Sequence, residues 1–232
     1  MKRYFAMSTS PRKGGNGDAT VHAVAEAVRA AGGEVDEFFF RDLQVNYCTG
    51  CCACKKEGQD FCVQEDDATR LMRTFPGYDG YILAMPLYMC NMCGQAKVFF
   101  DRCYCLTKPA KRAPMPAGDG KNPPPPLEKK AEPAEEQPAP MMGPQTVSVV
   151  YDGHVMGNPE VPAKKMVVIF TSNSMRADQD KLRAETIAFQ FKDMGVQDYK
   201  LLHVPGCHPY DGGGKTEENL AIAAEVGTWL AE

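Results

Sequence analysis

Residues 2–18 read KRYFAMSTSPRKGGNGD, and this stretch decides the fold. Residues 2–7 form a short apolar run with the character of a buried strand. Hydroxyls, one cation and paired glycines follow, then a polar turn over residues 14–18. Residues 20–31 (TVHAVAEAVRAA) place apolar side chains at helical spacing, and Gly32-Gly33 stops them. A strand, a glycine-rich turn and a helix in that order put the turn at a helix N-terminus, where free N–H groups favour an anion. Ser8, Thr9, Ser10 and Asn16 add side-chain donors, Arg12 can neutralise a phosphate, and Gly14 and Gly15 let the backbone wrap closely. This loop has no Lys-Ser/Thr pair of the nucleotide-hydrolase type, which argues against ATP. The plainer alternative is a solvent-exposed turn.

Working outward, the pattern repeats. Residues 34–40 give a second strand, 80–84 a third closed by Pro86, 164–171 a fourth and 199–204 a fifth. Helices are expected over 68–74, capped by Asp66-Asp67, and over 94–104, 181–194 and 217–230. Five alternations imply a parallel sheet with helices on both faces. The expected class is α/β: a flavodoxin-like, doubly wound, five-stranded sheet of order 2-1-3-4-5, in one domain spanning residues 1–232. Two segments interrupt it. Residues 46–65 form a cysteine-rich loop after strand two. Residues 107–146 hold most of the 18 prolines and read as a linker or polyproline-like arm. The flanks at 146–151 and 155–161 admit an extra strand or hairpin.

Cys48, Cys51, Cys54 and Cys62 are spaced C-x2-C-x2-C-x7-C, with Cys52 inside the run. Three thiolates at successive x2 spacing wrap one side of a cubane, and a fourth from the loop's far end closes it. The expected ligands of a 4Fe–4S cluster are therefore these four. Zinc, which prefers two separated thiolate pairs, and free redox thiols are the alternatives. An exchange of Cys51 for Cys52 stays open. Cys90 and Cys93 form a further C-x2-C. They and Cys103 and Cys105 read as buried apolar residues, a second metal site or a reactive dithiol, and Cys207 with His208, in a Pro-Gly loop, as a structural pair that could add ligands.

These motifs resemble a known family. Residues 10–16 (SPRKGGN) are similar to the FMN-phosphate loop of flavodoxin-like NADPH-dependent FMN reductases. Pro86-Leu87-Tyr88, Asn91-Met92 and residues 97–102 (KVFFDR) resemble their second flavin loop and the helix after it. The compact cysteine motif with Asp66-Asp67 resembles the iron–sulfur flavoprotein branch. The resemblance implies that Ser8, Ser10, Arg12, Asn16 and Gly17 meet the FMN phosphate, Gly17 standing where a Thr is frequent. It implies that Pro86, Leu87, Tyr88, Asn91 and Met92 line the isoalloxazine, and that Ser172, with Asn173 and Ser174, forms a third flavin loop. It also implies association as a homodimer or homotetramer.

Bulk properties bound the function. The 232 residues are 44% hydrophobic and carry a net charge of −4, so a counterion-release route to nucleic acid has no support. No apolar run approaches the ~18 residues of a membrane span, and the N-terminus enters a strand directly, so a cytoplasmic protein is expected. The expected function is an oxidoreductase passing electrons between ferredoxin or NAD(P)H and an acceptor through FMN and the cluster. Its rivals are an NAD(P)H-dependent FMN or quinone reductase with structural or zinc-bound cysteines, and a non-enzymatic redox sensor.

Overall fold

The structure, a computed structural model, describes residues 1–107, 147–156, 160–173, 180–207 and 213–232. The proline-rich insertion lies outside the described residues from position 108 onward, as do Ser174, His208 and positions 157–159.

Five parallel strands form the sheet: β1 (Arg3–Ser8), β2 (Glu34–Phe39), β3 (Gly80–Tyr88), β6 (Lys164–Thr171) and β7 (Val196–Val204). Their order, β2-β1-β3-β6-β7, is the expected 2-1-3-4-5 in chain order. Two further strands make seven. β4 (Asn91–Met92) folds back on the end of β3, and β5 (Val149–His154) runs antiparallel to β7 at the sheet edge. The 146–151 flank thus yields one strand, shifted three residues onward. Its second half, Asp152-Gly153-His154, has no strand character of its own. Pairing supplies it: Asp152 meets Lys200, His154 meets Asp198, and the Tyr199 ring packs over Gly153. β5 covers an edge that would otherwise offer unpaired backbone groups.

Alternation along the strands divides the core into two layers. Tyr4 and Ala6 of β1 face α1 (Asn16–Ala30) and α5 (Glu217–Ala231), where Val21, Val24, Val28, Val226 and Leu230 are buried. Phe5 and Met7 face α2 (Asp67–Thr74), α3 (Gly94–Arg102) and α4 (Asp180–Gln190) through an aromatic cluster of Phe75, Tyr81, Phe99 and Phe191. Each valine buried against the sheet contributes about 1.5 kcal/mol or more.

Two boundaries differ from the sequence reading in ways that matter for function. α1 begins four residues earlier than expected, at Asn16, inside the stretch read as a polar turn. Its first turn is polar because it faces the loop, and Asp18 there suits the positive end of the helix dipole. β3 does not stop at Pro86: it continues to Tyr88, with Pro86 opposite Thr171 of β6. α1 and α5 approach closely at Gly227, where an added Cβ would stand 2.4 Å from the Val24 carbonyl oxygen. Gly227→Ala is therefore expected to push the helices apart and cost about 1–3 kcal/mol. A lowered urea midpoint with unchanged far-UV circular dichroism is the expected result.

Candidate functional site

The carboxyl ends of β1, β2, β3 and β6 share one edge of the sheet, and the loops that follow them meet there. The first follows β1. Ser8, fully buried, donates its hydroxyl hydrogen to Asp18 Oδ1 at 2.6 Å, so that hydrogen is committed within the loop. Ser10 Oγ accepts from the Arg12 N–H at 3.2 Å and donates to the Arg12 carbonyl at 3.3 Å. Gly14, at φ +66, turns its N–H onto Asp18 Oδ2 at 2.8 Å. The side chains of Arg12 and Lys13 stand outside, exposed.

α1 begins without a side-chain cap: Gly15 holds the N-cap position. The helix therefore presents free N–H groups at a loop edged by two cations. Asn16 Oδ1 is buried with no hydrogen-bond partner among the described residues. A buried amide left unsatisfied is costly, and a phosphorylated, hydroxyl-bearing ligand would satisfy it. Gly17 sits behind, its missing Cβ facing Ser8 Oγ and Ala84 at ordinary contact distance. These features fit an FMN phosphate.

Sequence reading missed the residue that fixes this loop. Arg41, in the turn Phe40–Asp42 just after β2, reaches Asp18 Oδ2 at 2.9 Å and Oδ1 at 3.1 Å, and stacks over Phe39 at 4.5 Å. It also approaches the carbonyls of Ser10 and Arg12, both at 3.4 Å. A cation directly after three phenylalanines was the available signal.

The second loop is a hairpin. Leu87 pairs with Met92 and Tyr88 with Asn91, leaving Met89 and Cys90 as its two central residues. Both are left-handed, at φ 49 and 59. This turn type favours Asn-Gly, and each non-glycine residue here costs about 1 kcal/mol or more. Tyr88, Met89 and Asn91 are exposed, whereas Pro86 is buried and Leu87 and Met92 are half-buried. Cys93 lies inside, its sulfur 3.4 Å from Thr9 Oγ1, while Cys90 stands on the tip, so the second C-x2-C does not face one site. At the third loop, Ser172 Oγ lies 2.8 Å from Nε2 of the fully buried His203, whose imidazole pKa burial pushes down.

The cysteine loop leaves Arg41 and ends at Asp66, the N-cap of α2. Cys48, Cys54 and Cys62 are half-buried, and Cys51 and Cys52 exposed. Burial raises the Cys54 thiol pKa, and the nearby Cys62 and Cys48 add to the effect against Lys55. The Ala53 N–H, then the Thr49 side chain, push the Cys51 thiol down, toward the thiolate that binds metal. Cys52 takes a left-handed backbone at φ 52, and its sulfur contacts the Gly50 carbonyl at 3.6 Å. Among the described residues no three cysteine sulfurs lie within 4.8 Å of one another.

Cys105 is a neighbour that sequence reading did not place. It is buried, receives a backbone contact from Cys62, and sits in the field of Cys54 and Cys62. Burial raises its thiol and drives that of Cys103 well above the ordinary range, so both behave as apolar residues. Lys55 Nζ ties the loop to the carbonyls of Tyr104 and Thr107 and lies 4.3 Å from the Tyr104 ring centroid. Arg102 is 2% exposed and grips Asp66 with both terminal nitrogens, while donating to Asn46 O at 2.8 Å and Thr69 Oγ1 at 2.7 Å. Its guanidinium also lies against Cys62. Its buried Nε has no acceptor among the described residues, a donor that an anionic, sulfur-rich group could satisfy. A cavity of about 620 Å³ opens between this loop and α3, touching Cys48 and Met92.

A family model described as NADPH-dependent FMN reductase matches residues 3–118. The chain belongs to the NADPH-dependent FMN reductase family. An iron–sulfur flavoprotein of Archaeoglobus fulgidus is 40% identical over 93 residues, covering 40% of this chain and 41% of that protein. One from Methanosarcina thermophila is 38% identical over 102 residues, covering 44% and 52%. The chain thus spans about half the length of the relatives it matches. The fold is similar to that of an NAD(P)H:quinone oxidoreductase from Methanothermobacter marburgensis, with a TM-score of 0.61 at 13% identity over 100% of this chain and 98% of that one. It is also similar to an FMN-dependent NADH-azoreductase of Bacillus anthracis, with a TM-score of 0.58 at 13% identity over 100% of both chains. No helix among the described residues is long and apolar enough to cross a membrane.

The Asp66–Arg102 pair makes acid stability measurable. Burial works to raise the Asp66 carboxyl, but Arg102 and the N–H groups of Asn46 and Thr69 outweigh it and hold the pKa at about 2, below its ordinary 3.8. The folded state therefore binds this proton less readily than the unfolded chain. The resulting stabilisation, about 2 kcal/mol, is complete above about pH 4 and is lost as pH falls toward about 2. Urea unfolding across that range is expected to show the loss in the wild type and a flatter dependence in Asp66→Asn.

Proposed function

We propose that the chain is an FMN-dependent oxidoreductase with a 4Fe–4S cluster on Cys48, Cys51, Cys54 and Cys62, moving electrons between a reduced donor and an acceptor. The observation that carries this reading is Arg41. One guanidinium joins the phosphate loop to the start of the cysteine loop, so both candidate sites occupy one sheet edge with a shared anchor. FMN exchanges one or two electrons and a cluster one, so the pair would connect hydride donors with single-electron carriers.

The chain's own residues hold and orient. The uncapped α1 N-terminus, Ser10, Arg12 and Asn16 take the phosphate, with Ser8 and Gly17 shaping the loop. Pro86, Leu87, Tyr88, Asn91 and Met92 border the flavin ring, and the strained Met89-Cys90 turn fixes their backbone. Ser172, held by His203, completes the flavin site. The Cys51 thiol, lowered by backbone N–H groups, is already disposed to ligate, whereas Cys54, raised by burial, would ionise on meeting the metal. The family's description supports NAD(P)H as donor, and ferredoxin is the single-electron alternative. Apolar side chains left exposed at the loops, Tyr47, Val63 and Met89, support cover by a second copy in a homodimer or homotetramer.

The test is iron and acid-labile sulfide per FMN in protein purified without oxygen. About four of each per flavin is expected. Cys48→Ser and Cys62→Ser are expected to lose iron while keeping FMN, and Cys52→Ser to keep both. FMN without iron in the wild type would replace this reading with a flavin reductase whose cysteines are structural or hold zinc.

A further inference from the structure

The phosphate loop has a neighbour from the far end of the chain. The turn Gly213–Lys215, just before α5, lies across it. Lys215 Nζ donates to the Gly14 carbonyl at 2.9 Å, a contact spanning 201 positions. The turn is seated tightly: a Cβ on Gly214 would stand 2.9 Å from Asn16 Cγ, 2.6 Å from Cys207 Sγ and 3.0 Å from Val204 Cγ1. Glycine at 214 is what lets this backbone press on Asn16, the side chain whose amide oxygen is buried without a partner.

The charges in the loop define what Lys215 adds. Asp18 is the carboxylate of the loop, and Arg41 already answers it. Lys215 instead meets a neutral carbonyl, beside the uncapped helix end and the exposed Arg12 and Lys13. A carbonyl satisfies one of its three N–H donors and none of its charge. An ammonium so placed is matched by a dianionic monoester.

We propose that Lys215 is a phosphate-recognition residue, which bridges the Gly14 carbonyl and the phosphate monoester of the flavin and so selects FMN over unphosphorylated riboflavin. The proposal rests on assigning the loop after β1 to the FMN phosphate. The site is then built from both ends of the chain, with Arg12 on one side and Lys215 on the other.

The experiment compares FMN and riboflavin binding to the full-length chain freed of flavin, by flavin-fluorescence quenching at two salt concentrations. Lys215→Gln is expected to weaken FMN binding about ten- to a hundredfold, leave riboflavin binding and the thermal midpoint unchanged, and flatten the salt dependence of FMN binding. Lys215→Arg is expected to recover most of the loss. Unchanged FMN affinity in Lys215→Gln would overturn the proposal. So would an equal loss for both flavins with a lowered thermal midpoint, the mark of a latch that only holds the loop. A wild-type chain that binds the two flavins equally would instead overturn the loop assignment, and the proposal with it.

Discussion

The arrangement depends on a carboxylate in a place where burial would penalise its charge. Asp18 lies in the first turn of α1, at the positive end of that helix, and its side chain is only 9% exposed. It is tolerated because four hydrogen bonds converge on it, from Ser8 Oγ, the Gly14 N–H and two nitrogens of Arg41. Each does two things. Ser8 ties the end of β1 to α1, Gly14 sets the left-handed turn of the loop, and Arg41 brings in the chain that follows β2. A buried pair of this kind adds little net stability, but removing one partner leaves an uncompensated charge, at about 3–5 kcal/mol. Its value here is geometric: it gives the loop one shape before any phosphate arrives.

The same device recurs at the other end of the cysteine loop. Asp66 caps α2 and receives both terminal nitrogens of Arg102. The loop between Arg41 and Asp66 has one short 3₁₀ turn, Ala53–Lys55, and a β-turn right after it at Lys56–Gln59, and Lys55 fastens the first to the chain after α3. Its ends and one midpoint are thus fixed by buried or partly buried cations, while most of its backbone has no regular hydrogen bonding. A loop built this way can place thiols with little apolar burial of its own. It leaves them at the surface edge of the sheet.

The fold was legible because the signals for a parallel sheet are local. Apolar runs, helical spacing and glycine stops sit within windows of a few residues, and they gave the order of the five parallel strands. What failed was also of one kind. The first turn of α1 looked like loop because its residues serve the site rather than the core. β3 seemed to end at Pro86 because proline has no N–H to donate, but the strand keeps its register there, Pro86 lying opposite Thr171 and its carbonyl accepting from the Cys93 N–H. β5 has a glycine next to its end and gains its pairing from β7, some fifty positions away. Within the candidate site, the loop residues and cysteines were readable from spacing. Arg41, Arg102 and Lys215 were not, because each acts on a partner far away in sequence. Arg102 left one trace, a cation three positions after Phe99 on the apolar face of its helix.

Burial sorts the ten cysteines in a way that spacing could not. Cys93, Cys103 and Cys105 are packed in the core, and in the last two burial raises the thiol. Deep burial makes these pack as small apolar residues, whereas Cys54, whose thiol burial also raises, stays half-buried at the loop. The five loop thiols are exposed or half-buried, and the one whose pKa falls, Cys51, is surrounded by backbone N–H groups. Cys105 lies at the boundary, in the field of Cys54 and Cys62 but still protonated by its surroundings. It packs a buried sulfur on the inner side of the loop, beside Cys54 and Cys62.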